Sequence, residues 1–233
     1  MEAERGRGAA RPGPGSGTRR NGGRREQDPD VRLSKALAFV LRHGAAQLGL
    51  RIGGDGFLAV EAILQHPHYR RYTVQDIKRV VDTNKKQRFT LRTHPETGAL
   101  QIRANQGHTL QVEELELIPI SLDSGNVPAQ AIHGTYLRHW PLIKAQGLRC
   151  MSRRHIHLSL GLPEDGSIVS GMRSSCDLAI FVELRRALSD GIPFYLSTNQ
   201  VILTPGNEDG VLPPKYFQKV LQLKPTRCLL PWP

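Results

Sequence analysis

Positions 150–159 read Cys-Met-Ser-Arg-Arg-His-Ile-His-Leu-Ser. Taken as a strand, side chains alternate between faces. Ile156 and Leu158 then face a core, while Arg153, His155, His157 and Ser159 share the opposite face. A guanidinium, two imidazoles and a hydroxyl in one line, with no carboxylate among them, suit phosphate or another anion. A solvated polar face on an edge strand is the plain alternative. Other segments repeat the chemistry, however. Arg42 and His43 fall together, Arg103 is followed by Gln106, Gly107 and His108, His133 and Thr135 flank a glycine, and Arg173 follows Gly171 and Met172. Of the two neighbouring arginines, Arg153 rather than Arg154 is expected to face the anion, because it shares a face with His155 and His157.

Several chemistries lack their residues. No paired carboxylates stand out, which weakens a glycosidase or two-metal reading. His155 and His157 have no third ligand at fitting spacing, so no metal is expected. No glycine-flanked serine or cysteine nucleophile appears, and no Gly-x-Gly-x-x-Gly follows a strand. A reaction that needs neither a protein nucleophile nor a carboxylate base fits. A substrate phosphate is already an anionic nucleophile; the protein has to hold it in line with an electrophilic carbon and stabilise charge.

The elements that must position these groups fall into two halves. Residues 1–30, rich in Gly, Arg and Pro, have almost nothing to bury and are expected to be disordered. From Val31, the apolar residues Leu33, Leu37, Val40 and Leu41 line one helical face, delivering Arg42 and His43 in the last turn before Gly44. Capping by a cation explains one of that pair more readily than both. A short helix to about Gln65 and an amphipathic helix from Thr73 to about Asn84 follow. Alternation then marks strands at 88–93 and 99–103 around the turn 95–98. Three helices and a β-hairpin in that order are the order of a winged helix, a fold that commonly handles nucleic acid. Residues 121–130 have linker composition. Beyond them come a helix over 136–146, a central buried strand at 178–184, a hairpin around Thr198 and Asn199, and a short apolar segment at 216–223. Short strands with few helices imply a small mixed sheet. The expectation is α+β, with a tail at 1–30, a first lobe at 31–120, a linker at 121–130 and a second lobe at 131–233.

The 233 residues carry a net charge of +11, with 39% apolar and 23% charged residues. That is a soluble globular composition with a polyanionic partner, most simply nucleic acid. The tail does not explain the charge. It holds seven arginines against five carboxylates, leaving +9 on the rest. Three well-separated cysteines, Cys150, Cys176 and Cys228, indicate reduced thiols. With no membrane-length apolar run and no signal-peptide segment, a cytoplasmic or nuclear location is expected and a secreted one is not.

Five stretches in register resemble one family. They are Leu33-Ser-Lys-x-Leu-x-x-x-Leu-Arg-His43, Ile102-Arg103-x-x-Gln-Gly-His108, His133-Gly-Thr135, Met151-Ser-Arg153-x-His-Ile-His-Leu-Ser159 and Val201-Ile-Leu-Thr204. Together they resemble the tRNA 2′-phosphotransferases of the Tpt1/KptA family, and vertebrate members in particular. The resemblance implies an N-terminal winged-helix lobe for RNA and a C-terminal ADP-ribosyltransferase-like lobe for NAD+. It implies removal of an internal RNA 2′-phosphate left at a tRNA splice junction. The phosphate attacks the nicotinamide-bearing ribose carbon and expels nicotinamide. The adjacent ribose hydroxyl then attacks phosphorus, releasing 2′-hydroxyl RNA and ADP-ribose 1″,2″-cyclic phosphate. The family's essential residues fall on Arg42, His43, Arg103 and Arg153, with His108 beside the RNA phosphate. His133, Thr135, His157, Ser159 and Arg173 match or adjoin positions that hold NAD+. The expected partners are RNA and NAD+, with no metal and no membrane, in a monomer.

Three rivals remain. ADP-ribosylation of terminal phosphates shares the first displacement. A 2H-type RNA phosphodiesterase would use His133-x-Thr135 and His157-x-Ser159 as its paired signature, but leaves Arg42, His43 and Arg103 without a role. The third is a non-catalytic RNA-binding protein.

Overall fold

The computed structural model describes residues 28–112, 115–165 and 171–232, so the expected tail at 1–30 lies outside them except for its last three residues. Those three open the first helix. Asp28 accepts the backbone N–H of Asp30 at 2.9 Å, and Pro29 occupies the first turn, where no donor is required. Helix α1 runs Pro29–Phe39 and buries Leu33 and Leu37. It then widens into a π turn, Val40–Gly44, which buries Val40 and Leu41 and carries Arg42 and His43.

Strand β1 (Leu58–Ala59) leads into α2 (Val60–Gln65). Helix α3 (Val74–Thr83) opens on a capping box between Thr73 and Asp76. Strands β2 (Phe89–Thr93) and β3 (Leu100–Ala104) form the expected antiparallel hairpin, and β1 joins it to give a sheet in the order β1-β3-β2. Leu37, Leu41, Ile63, Ile77 and Ile102, all at 0% exposure, centre the core between these helices and this sheet. Burying each stabilises by about 1.5–3 kcal/mol.

The rest of the chain comprises β4 (Leu117–Ile120), β5 (Ile132–Thr135), α4 (Trp140–Gln146), β6 (Leu148–Arg149), β7 (Ile156–Leu158), β8 (Leu178–Val182), α5 (Leu184–Ser189), β9 (Phe194–Ser197), β10 (Ile202–Thr204), β11 (Val211–Leu212), β12 (Phe217–Gln222) and β13 (Cys228–Leu230). They build two four-stranded sheets, β4-β9-β10-β7 and β13-β12-β8-β5, and a β11-β6 ribbon. Ile132 and Ser159 exchange backbone hydrogen bonds at 2.9 and 2.7 Å, fastening the two larger sheets together where β5 begins and β7 ends. Leu158, Ile180, Phe194, Ile202 and Val220 centre the second core. The protein is thus α+β with several small sheets.

The structure departs from expectation in four places. Every pairing between the named strands is antiparallel, so the sheets are not mixed. The tight β9–β10 hairpin is one cause, since a parallel neighbour would need a long crossover. The run 150–159 is strand only over β7. Arg153 N–H closes a turn onto the Cys150 carbonyl at 3.1 Å, and Met151 sits at φ +55°. The run 151–154 also lacks the β-branched or aromatic residues that hold a strand. The helix expected over 136–146 is a 3-10 turn, Leu137–His139, followed by α4, because Pro141 is tolerated only in a first helical turn. Finally β4, within the segment expected as the first lobe, pairs with β9 of the second sheet.

Because Leu37 seats the helix that leads into the π turn, Leu37→Ala should cost about 2–5 kcal/mol. The check is the free energy of urea unfolding. A loss under 1 kcal/mol would mean that this core does not hold the turn.

Candidate active site

The π turn frees the Arg42 carbonyl from the helix ladder, and the loop after β3 binds to it. Thr109 and Leu110 donate their backbone N–H groups to it at 3.0 and 3.2 Å, and the Thr109 hydroxyl donates at 3.2 Å. That hydroxyl also lies 3.0 Å from His43 Nδ1. The hydroxyl thereby ties the His43 ring to the same loop that holds the Arg42 carbonyl. The loop passes close beneath the guanidinium. Gly107 has φ +86°, and a Cβ there would stand 3.4 Å from Arg42 Cζ, so conformation and space both favour glycine.

Arg103 is 2% exposed at the end of the central strand of the first sheet. Its Nη2 donates to a Glu116 carboxylate oxygen at 2.5 Å, and its guanidinium carbon lies 4.7 Å from the Phe57 ring centroid. Next to it, His108 is 4% exposed. Both ring nitrogens of His108, Arg103 Nε, and Arg42 Nε and Nη2 are buried without hydrogen-bond partners.

The second half of the chain answers from β5, β7 and the turn before β7. His133 Nδ1 lies 3.0 Å from the His157 backbone carbonyl. A carbonyl only accepts, so His133 is protonated at Nδ1 and presents Nε2 as an acceptor. His157 Nε2 is buried and unpartnered. A cleft of about 290 Å³ is lined by His133, Tyr136, Arg153, His155, His157 and Arg173, among others. A neighbouring cleft of about 470 Å³ is lined by Gly107, His108, Leu115, Leu117, Arg154, His155 and Tyr195, among others. His155 lines both. Arg153 and Arg154 therefore each face a cleft, Arg153 beside His157 and Arg154 beside His108. Thr135 and Ser159, buried at the strand ends, line neither.

Burial and mutual repulsion govern the charges. Burial, then Arg153 and Arg88, pushes the Arg42 guanidinium down to about 10, still protonated at neutral pH. Burial, then Arg42, His43, Arg103 and His155, takes His108 to about 4. Burial, then Arg153, His155, Arg42 and His133, takes His157 to about 3. His43 falls below its ordinary value through burial, Arg42 and Arg153, His155 through burial and Arg154, and His133 mainly through burial. Arg153 is itself lowered by burial and by Arg173. The groups expected from separate stretches thus feel one another across the two halves of the chain. They form a cluster of guanidinium cations and neutral imidazoles whose open valences call for an anion.

Direct bonds tie the halves together. Arg154 N–H donates to the His108 carbonyl at 3.4 Å. Lys86 Nζ donates to the Met172 carbonyl at 3.0 Å, and the buried Asn199 amide donates to the Lys86 carbonyl at 3.0 Å. Sequence reasoning missed Lys86, Asn199, Tyr195 and Glu116, and noted His155 without assigning it to the site. Nothing in the sequence around Glu116 marks it as the partner of Arg103. Among the described residues no group of His, Cys, Asp and Glu is placed to hold a metal ion, and no helix is long and apolar enough to cross a membrane.

The family model described as RNA 2′-phosphotransferase, Tpt1/KptA family, matches residues 28–206. The tRNA 2′-phosphotransferase 1 of Danio rerio is 53% identical over 214 residues, covering 92% of this chain and 95% of that protein. The protein of the same name from Homo sapiens is 54% identical over 213 residues, covering 91% and 84%. The tRNA 2′-phosphotransferase of Saccharomyces cerevisiae is 35% identical over 201 residues, covering 82% and 84%.

The lowered imidazoles bear on stability. Where the folded pKa lies below the unfolded one, the unfolded chain binds the proton more readily. Stability therefore rises with pH across that interval and is lost as pH falls through it. For His108 the interval runs from the ordinary 6.5 down to about 4. His108→Gln should flatten the fall in urea-unfolding free energy between about pH 6.5 and 5 by up to ~1.4 kcal/mol per pH unit. An unchanged slope would show that His108 is not held neutral.

Proposed function

The chain belongs to the RNA 2′-phosphotransferase, Tpt1/KptA family, and on that footing we propose that it transfers an internal tRNA 2′-phosphate to the ADP-ribose of NAD+. The products are 2′-hydroxyl RNA, ADP-ribose 1″,2″-cyclic phosphate and nicotinamide. In this reading residues 31–120 act as a winged-helix RNA lobe, except that β4 at its end is lent to the second half's sheet, and 131–233 act as an ADP-ribosyltransferase-like NAD lobe, joined through 121–130. The protein works as a monomer in the cytoplasm or nucleus, its three cysteines free.

What carries the proposal is the meeting of Arg42 and His108 from one half of the chain with Arg153, His155 and His157 from the other, each perturbing its neighbours' protonation. NAD+ supplies a ribose carbon already joined to a good leaving group. The smaller cleft suits such a ligand: Arg173 offers a cation for a pyrophosphate, and His133 and His157 offer ring nitrogens for hydroxyls. Thr135 and Ser159, buried at the ends of the strands that carry those histidines, complete the NAD+ side of the site.

Arg42, Arg103 and Arg153 hold the 2′-phosphate, with His43 and His108 completing the grip. The phosphate is already an anion, so the first displacement needs no carboxylate base, and the described contacts of these groups offer none beyond Glu116. The arginines keep the phosphate oriented toward the ribose carbon. In the second displacement negative charge grows on the phosphoryl oxygens, where fixed guanidinium donors lower the barrier most. A neutral imidazole can take the proton of the attacking ribose hydroxyl, and one must return to the RNA 2′ oxygen as it leaves. The phosphodiesterase alternative loses ground here, because the hydroxyls of Thr135 and Ser159 line neither cleft.

A 2′-phosphorylated oligonucleotide should lose its phosphate only when NAD+ is present, with nicotinamide and the cyclic phosphate appearing together. Phosphate loss without NAD+ would overturn the proposal. Arg103→Ala should lower turnover by about 10²–10³-fold. Near-wild-type turnover would remove Arg103 from the site.

A further inference from the structure

Arg103 and Glu116 make an unequal pair. The Arg103 side chain is 2% exposed and the Glu116 side chain 75%. The guanidinium is fixed in the wall, stacked on Phe57, while the carboxylate reaches it from the solvent side of the segment just before β4. Leu115 and Leu117, on either side of Glu116, line the larger cleft together with His108 and His155. Glu116 thus sets its carboxylate on a guanidinium beside that cleft. Arg103 Nε stays buried and unpartnered, so the single carboxylate leaves part of the fork unused.

We infer that Glu116 is a specificity-determining residue: an internal anion that a 2′-phosphomonoester displaces from Arg103 and an RNA phosphodiester does not. The inference rests on the proposed reaction and deepens it. RNA presents a phosphodiester at every nucleotide, each with one charge and two free oxygens. These outnumber the single 2′-phosphate, which carries between one and two negative charges near neutral pH and three terminal oxygens. An Arg103 open to solvent would accept either. With Glu116 seated, an incoming diester exchanges one unit charge for another and gains nothing. The monoester brings more charge and can also reach the unused Nε and the empty ring nitrogens of His108. Once displaced, the Glu116 carboxylate returns to water with its charge intact, which its exposure allows.

The test compares two oligonucleotides of one sequence, one with a 2′-phosphate and one with a 2′-hydroxyl at the same position. Their binding to the full chain is measured at fixed ionic strength without NAD+. Glu116→Gln keeps the shape of the side chain and removes its charge. Glu164→Gln removes the same charge from an exposed pair with Arg227 outside both clefts (2.7 Å) and controls for net charge. Wild type should prefer the phosphorylated strand. Glu116→Gln should bind the hydroxyl strand about tenfold more tightly, with a smaller gain for the phosphorylated strand, so that selectivity falls. Glu164→Gln should leave selectivity unchanged. A Glu116→Gln protein that keeps its selectivity, weakens binding of both strands, or merely matches Glu164→Gln overturns the inference. If wild type neither prefers the phosphorylated strand nor turns it over with NAD+, the assigned reaction falls, and this inference with it.

Discussion

Positive charge confined in a desolvated cleft is the constraint on which the rest of this molecule depends. Arg42 feels Arg153 and Arg88, and His108 feels Arg42, His43, Arg103 and His155. Each would be more comfortable in water, and several of their nitrogens have no partner. Such an arrangement persists only where the surroundings over-determine it. Two apolar cores do so, one under the π turn and the other under β7 and β8. The strain is of the kind that sites commonly carry at the expense of stability. An anion placed among these groups would offset that repulsion and supply the missing hydrogen-bond partners.

The same crowding decides what the histidines can do. An imidazolium among guanidiniums would add repulsion to burial, so the ring is driven neutral. A neutral ring has a direction. The His157 carbonyl fixes His133 with the proton on Nδ1, leaving Nε2 to accept. A neutral ring is suited to orienting groups and relaying protons, while the formal charge is left to arginine, which loses its proton with difficulty.

Much of this was legible before any coordinates. The apolar spacing of Leu33, Leu37 and Leu41 located α1, and the turn 95–98 located the β2–β3 hairpin. The repetition of Arg and His in separate stretches pointed to an anion. What stayed hidden depended on contacts between distant segments. The π turn is stabilised by a loop more than sixty residues away, and no local pattern announces it. Alternation at 150–159 mimicked a strand, yet Arg153 and His155 reach the cleft from a turn. Their grouping survived the wrong geometry because the neighbouring β7 aims His157 at the same space. Lys86 looked like one more surface lysine, since its partner carbonyl is that of Met172 in the other half of the chain.

Strand β4 deserves a last consideration. It comes after the helical half in the sequence, yet its ladder partner is β9, with Leu117 opposite Ser197 and Ile120 opposite Phe194. The halves are therefore interleaved and cannot be shuffled as beads on a string. A scissor placed at the 121–130 turns would carry off an edge strand with the wrong piece and expose the β9 margin to solvent or to another molecule. Recombination between relatives would have to respect a seam lying upstream of Leu117, in the stretch that also holds Glu116.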